Sequence, residues 1–147
     1  MYRVFADRLL DLTEGHAEDI ARQWCKSVRA NPRTSSYHSV PEEKYLSQAV
    51  SCYKSLKSMY FSRKPYEEAR AHFTRYAEDN HDQGIPLHEA VYALIMMRRQ
   101  IWLFADFQAL YTSAVDLHQA VESINRVLLV FDYAMYVVAQ RYQEMTG

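Results

Sequence analysis

Three glycines and four prolines are few for a chain of 147 residues. A sandwich or barrel of short strands needs turn residues every ~8–12 positions, and the phosphate-cradling loops of dinucleotide-binding and P-loop folds are built on glycine. The shortage excludes both classes. Cysteine is scarcer still: Cys25 and Cys52 form no CxxC pair and cannot supply a disulfide framework. They read as two reduced, packed thiols of a cytoplasmic protein. Neither sign of charge dominates, since Lys+Arg 17 against Asp+Glu 18 leaves a formal net charge of -1. That balance argues against nucleic acid or an anionic membrane as a partner held by bulk charge. Long apolar runs are missing too. The most apolar stretch, Val127 to Ala139, is interrupted by Asp132 and falls short of the ~18 residues of a membrane span. Met1 to Arg8 carries charges where a secretory signal would need an apolar run.

What is present is helical periodicity in a chain that is 49% hydrophobic, enough for one packed domain over 1–147. A short helix is expected from about Val4 to Leu12, punctuated by Thr13-Glu14-Gly15. The second, His16 to Ala30, sets Ala17, Ile20, Ala21, Trp24 and Val28 on one face. Asn31-Pro32 ends it, because a residue before proline is pushed out of the helical region. Arg33 to Val40 reads as the longest loop. Pro41-Glu42-Glu43 starts a third helix that runs to about Ser62, and Pro65-Tyr66-Glu67-Glu68 starts a fourth. Proline suits the first turn and the acids suit the positive end of the helix dipole. Gly84-Ile85-Pro86 closes the fourth helix and opens a fifth, about Pro86 to Leu110, with Leu87, Val91, Leu94, Ile95, Ile101, Trp102 and Ala105 facing inward.

The sixth helix is the most regular. Leu117, Val121, Ile124, Leu128, Phe131, Met135, Val138 and Tyr142 alternate in steps of four and three, a heptad seam. Ala120, Val127, Val130, Ala134 and Val137 form a second apolar row beside it. Two stripes are more than one neighbour can cover, so the seam residues are expected to form the interface of a homodimer. The expected fold is all-α, a single bundle of about six helices.

Chemistry is sparse. The chain has no nucleophile elbow, no HExxH and no cysteine in a catalytic context. Glu78-Asp79-Asn80-His81 matches the ExxH of di-iron bundles once, without the second copy that such a site requires. No catalytic residue and no metal site is expected, and the protein reads as non-enzymatic. His72, His81 and His88 lie near apolar stripes, and one histidine suffices to hold haem iron. His81, His88 and their neighbours Asp79, Asp82 and Glu89 otherwise read as a solvated helix junction. Arg98-Arg99 sits among Ile95, Met96, Met97 and Ile101, where one of the two guanidinium groups needs an anionic or carbonyl partner.

The run Asn31-Pro32-Arg33-Thr34-Ser35-Ser36-Tyr37, the Pro-Glu-Glu start at Pro41, and the block Gly84-Ile85-Pro86-Leu87-His88-Glu89-Ala90-Val91-Tyr92-Ala93-Leu94, followed by Arg98 or Arg99, resemble the RsbRD-type N-terminal domain. This is the sensor module of RsbT co-antagonist proteins, also found ahead of some histidine kinases. The resemblance runs from about Ala6 to Tyr142. It implies a globin-like fold that generally lacks haem and a dimer formed by the last two helices. It also implies signal input to an output domain or partner of a bacterial stress-response or histidine-kinase pathway. Haem-containing globin-coupled sensors are the second comparison. In them a proximal histidine precedes an Ile-Gly-Leu and Pro segment; here His81 lies one residue nearer the glycine, and Asn80 takes the matching position. One residue turns a helical side chain by about 100°. A haem-binding gas sensor would use His81. A ligand cavity in such a bundle would lie among Trp24, Tyr53, Phe73 and Trp102. With no STAS, kinase or methyl-accepting segment in it, the chain is expected to be an excised sensory domain or a stand-alone member acting in trans.

Overall fold

Proline and glycine delimit the helices largely where their spacing predicts. The structure, a computed structural model, describes residues 8–61, 64–107 and 114–146, with side chains at 9–61, 64, 66–105 and 121–146. Among these residues the elements are α1 (Arg8–Gly15), α2 (Ala17–Ala30), a 3-10 helix η1 (Pro32–Ser39), α3 (Glu42–Phe61), α4 (Pro65–Asp82), α5 (Leu87–Phe107) and α6 (Ala114–Thr146). None is a strand. The all-α class is thus observed, and no described helix is long and apolar enough to cross a membrane.

Two local departures have clear causes. The first helix does not stop at Leu12 but continues to Gly15, because the Thr13 hydroxyl turns back and donates to the Leu9 carbonyl at 2.7 Å. Val4 to Asp7, the expected start of that helix, lies outside the described residues, as do Gln108 to Leu110 of the expected fifth helix. The expected loop from Arg33 to Val40 is a 3-10 helix. Asn31 caps it by accepting the Arg33 N–H at 2.8 Å, and the buried Thr34 hydroxyl donates to Val28 O at 2.7 Å. Tyr37, 1% exposed, is its one buried aromatic anchor beside Thr34; a single large apolar residue in a polar run gives no periodicity to read.

Helix α5 is held by aromatic side chains from three other helices. Trp24 of α2 donates its indole N–H to Ala93 O at 2.9 Å, Tyr53 of α3 its hydroxyl to Met97 O at 2.8 Å, and Tyr76 of α4 its hydroxyl to Ala90 O at 2.9 Å. Positions 90, 93 and 97 share one helix face. Ala90 and Ala93 are fully buried there, and their small side chains leave the backbone within reach. Buried indoles and phenols need such partners. Tyr142 of α6 adds a fourth tie, donating to Ile85 O at 2.7 Å just before α5 begins.

The long helix α6, 33 residues and about 50 Å at 1.5 Å per residue, packs chiefly along α4 and then along α5. Its second apolar row is the core face: Val127, Val130, Ala134 and Val137 are all buried. The residues of the expected interface seam divide between core and surface. Phe131, Val138 and Tyr142 are buried inside the chain, Ile124, Leu128 and Met135 are half-buried, and Val121 is 57% exposed. Leu117 lies outside the described side chains. The cause is periodicity: a 3.5-residue repeat on a straight 3.6-residue helix drifts by about 20° per heptad. The seam therefore starts on the outer surface and rotates into the core towards the C-terminus.

Candidate functional site

The most constrained corner is the α4–α5 junction. Gly84, at φ 80°, occupies the left-handed region that closes a helix; its N–H donates to His81 O at 3.0 Å, and the Ile85 N–H donates to Asn80 O at 3.0 Å. These two bonds satisfy the last carbonyls of α4. Beneath the corner lies a buried polar network. The Tyr37 hydroxyl donates to Asn80 Oδ1 at 2.6 Å, and the Asn80 amide donates to Tyr76 O at 2.8 Å. The Tyr37 and Tyr76 oxygens are 3.3 Å apart. Burial holds both phenols above their ordinary range; Tyr76 pushes Tyr37 up further, whereas the contact with Tyr37 partly offsets the rise at Tyr76. Both hydroxyls stay protonated donors.

Glu89 is not part of a solvated junction. Only 7% exposed, its carboxylate accepts the Ser36 N–H at 2.8 Å and the Ser36 hydroxyl at 2.7 Å, tying η1 to the first turn of α5. Glu78 of the ExxH match is engaged elsewhere, accepting from Arg141 of α6 at 2.9 Å. Among the described residues no three histidine, cysteine or acidic side chains come together as a metal site. Cys25 and Cys52 are free and buried, their thiols pushed up to about 12 by burial. Neither is a thiolate nucleophile in that setting.

His81 borders a surface cleft of about 660 Å³, between Gly84–Leu87 on one side and Ala139, Gln143 and Thr146 on the other. Its ring packs edge-on to Tyr142 at 5.5 Å. Asn80, at the position that a proximal histidine would take, turns inward to Tyr37. Tyr37, Trp24 and Tyr45 stand edge-on to one another, 5.5–6.4 Å between centroids, and fill the interior. Trp24, Tyr53 and Phe73 are fully buried, whereas Trp102 is 41% exposed and does not join them in the interior. His81 thus borders the surface cleft, while Asn80 faces the interior.

A further candidate is the outer face of α5 and α6. Trp102 and Leu103 of α5, at 41% and 43%, and Val121 of α6, at 57%, are large apolar side chains left in solvent. On the same side of α6, Leu128 and Met135 are half-buried, and Arg98 reaches Asp132 at 3.6 Å across the two helices. Leu103 went unanticipated, since it stands off the helical stripe that marks the core of α5. Trp102, expected to face inward, stands outside, because apolarity alone does not separate an inner face from an outer one. Compared with protein-family models, curated proteins and solved structures, the chain matches none.

Proposed function

We propose that this protein is a non-enzymatic signal-input domain that acts as a homodimer, joined through the outer face of α5 and α6. The observation that carries the reading is the exposure of large apolar side chains on both helices, Trp102 and Leu103 on α5 and Val121 on α6, with Leu128 and Met135 half-buried on the Val121 side of α6. Clusters of large exposed apolar groups mark interaction surfaces more often than they occur by accident. A twofold pairing of α5 and α6 would cover these side chains on both copies at once. The resemblance to RsbRD-type sensor domains supports the same arrangement. It supplies the direction of the signal, towards an output domain or partner protein of a stress-response or kinase pathway. In that scheme the packing of α6 is the movable element, and its C-terminal turn beside the Gly84–Leu87 cleft is the end that passes the change on.

Sedimentation equilibrium tests the reading. The parent chain is expected to be dimeric at micromolar concentration. Leu128→Asp and Trp102→Ser are expected to be monomeric with unchanged helical circular dichroism. A parent chain that sediments as a monomer overturns the proposal.

A further inference from the structure

We infer that the polar cleft between α3 and α4 is a binding site for a small α-amino acid with a polar side chain. Two helix stripes meet there. Ser47, Gln48 and Ser51 share one face of α3, and His72, Arg75, Tyr76 and Asp79, at i, i+3, i+4 and i+7, share one face of α4. They line a space of about 190 Å³. That lies below the ~300–1,000 Å³ of drug-sized sites and suits a molecule of about five to ten heavy atoms. Tyr76 is buried and serves as a wall, since its hydroxyl is committed to Ala90 O. The other six side chains bring hydrogen-bonding groups to the space.

The charges set the class of ligand. Arg75 and Asp79 stand one turn apart on α4, a spacing at which opposite charges can pair. Among the described residues neither side chain makes an ion pair or a hydrogen bond. Base before acid is the weaker order on a helix, so both groups are open to an outside partner. A simple anion drawn to Arg75 would meet the Asp79 carboxylate, and a simple cation drawn to Asp79 would meet the guanidinium. An α-amino acid satisfies both, its carboxylate on the fork of Arg75 and its ammonium on Asp79. The remaining groups suit a polar side chain. His72 is half-buried and makes no hydrogen bond among the described residues; its ring, neutral at pH 7, offers one donor and one acceptor. Gln48 Oε1 accepts from Asn80 at 3.4 Å, which leaves the Gln48 N–H groups for a ligand. The Ser47 and Ser51 hydroxyls add to these. The cleft belongs to α3 and α4, whereas the proposed dimer face belongs to α5 and α6, so the site does not depend on that reading.

Calorimetric titration of the purified chain at neutral pH tests the site, with nuclear magnetic resonance following the His72 ring. L-serine and L-asparagine are the ligands. The controls are lactate, which lacks the ammonium, ethanolamine, which lacks the carboxylate, and L-valine, whose side chain is apolar. L-serine or L-asparagine is expected to bind at one site at least about tenfold more tightly than any control, and to move the His72 ring signals. Arg75 and Asp79 are both exposed, so changing either leaves the core intact. Arg75→Gln is expected to erase the advantage over ethanolamine, and Asp79→Asn the advantage over lactate. A variant that keeps the full advantage overturns the proposal, as does a control that binds the parent chain as tightly as the two ligands. So does an unmoved His72 ring, or the absence of saturable binding by both L-serine and L-asparagine up to about 10 mM.

Discussion

Tyrosine is the residue through which this chain organises its interior. A phenol buries a large apolar ring but brings a hydroxyl that must find an acceptor. Here the acceptors are backbone carbonyls of α5 and its approach, reached by Tyr53, Tyr76 and Tyr142, and the amide of Asn80, reached by Tyr37. Twelve tyrosines are plain in the composition, yet their partners lie 14 to 57 positions away. Nothing local identifies them. Tyr37→Phe keeps the ring but leaves Asn80 Oδ1 buried without its donor. The expected loss is about 1–3 kcal/mol, read as a lower urea midpoint with an unchanged slope. A loss near zero would show that the network is not holding η1 to α4. Asn80 shows how far a residue can be read from its place in a motif: its register against globin-coupled sensors is visible in the sequence, but its role as the acceptor for Tyr37 is not.

At the scale of the element, α6 is the instructive case. Its apolar pattern identifies a long helix with more than one buried side, and the structure has such a helix. Which stripe faces inward depends on the drift between the heptad and the helical period, and on α4 and α5 being the helices against which it rests. Phe131 and Leu128 occupy the same seam three residues apart and should behave oppositely. Phe131, fully buried, is expected to cost about 3–5 kcal/mol when replaced by alanine. Leu128→Ala is expected to cost under about 1 kcal/mol when both are measured by urea unfolding below the dimer's dissociation concentration. Similar losses at the two positions would mean that the helix is rotated from the orientation described. The α4–α5 corner was more legible: Gly84 and Pro86 announce a helix stop and a start, and both follow from backbone chemistry carried by the residues themselves.

For the molecule as a whole, the dependence of stability on acidity has one clear source. His72 of α4 is held at about 4, down from 6.5, by burial first and by the Arg75 charge second. As pH falls from 6.5 towards 4, the unfolded chain takes up a proton there that the folded chain does not. Stability contributed by the neutral imidazole is therefore intact above that window and declines through it, by up to about 3 kcal/mol. Urea unfolding at stepped pH should show the decline, and His72→Gln should flatten it; parallel curves for the two proteins would remove His72 as the cause. Taken alone, the sequence determined the helical class, most helix ends, the absence of a disulfide framework and the presence of surplus apolar surface on the last helix. Each of these follows from composition or from spacing within a few residues. Only the tertiary structure decided that η1 is ordered around Tyr37, that Glu89 is buried and that Trp102 is outside. It alone divided the α6 seam between core and surface. Those outcomes depend on which side chains meet across distant segments, and a pattern of apolar residues constrains how much surface is buried without specifying against what.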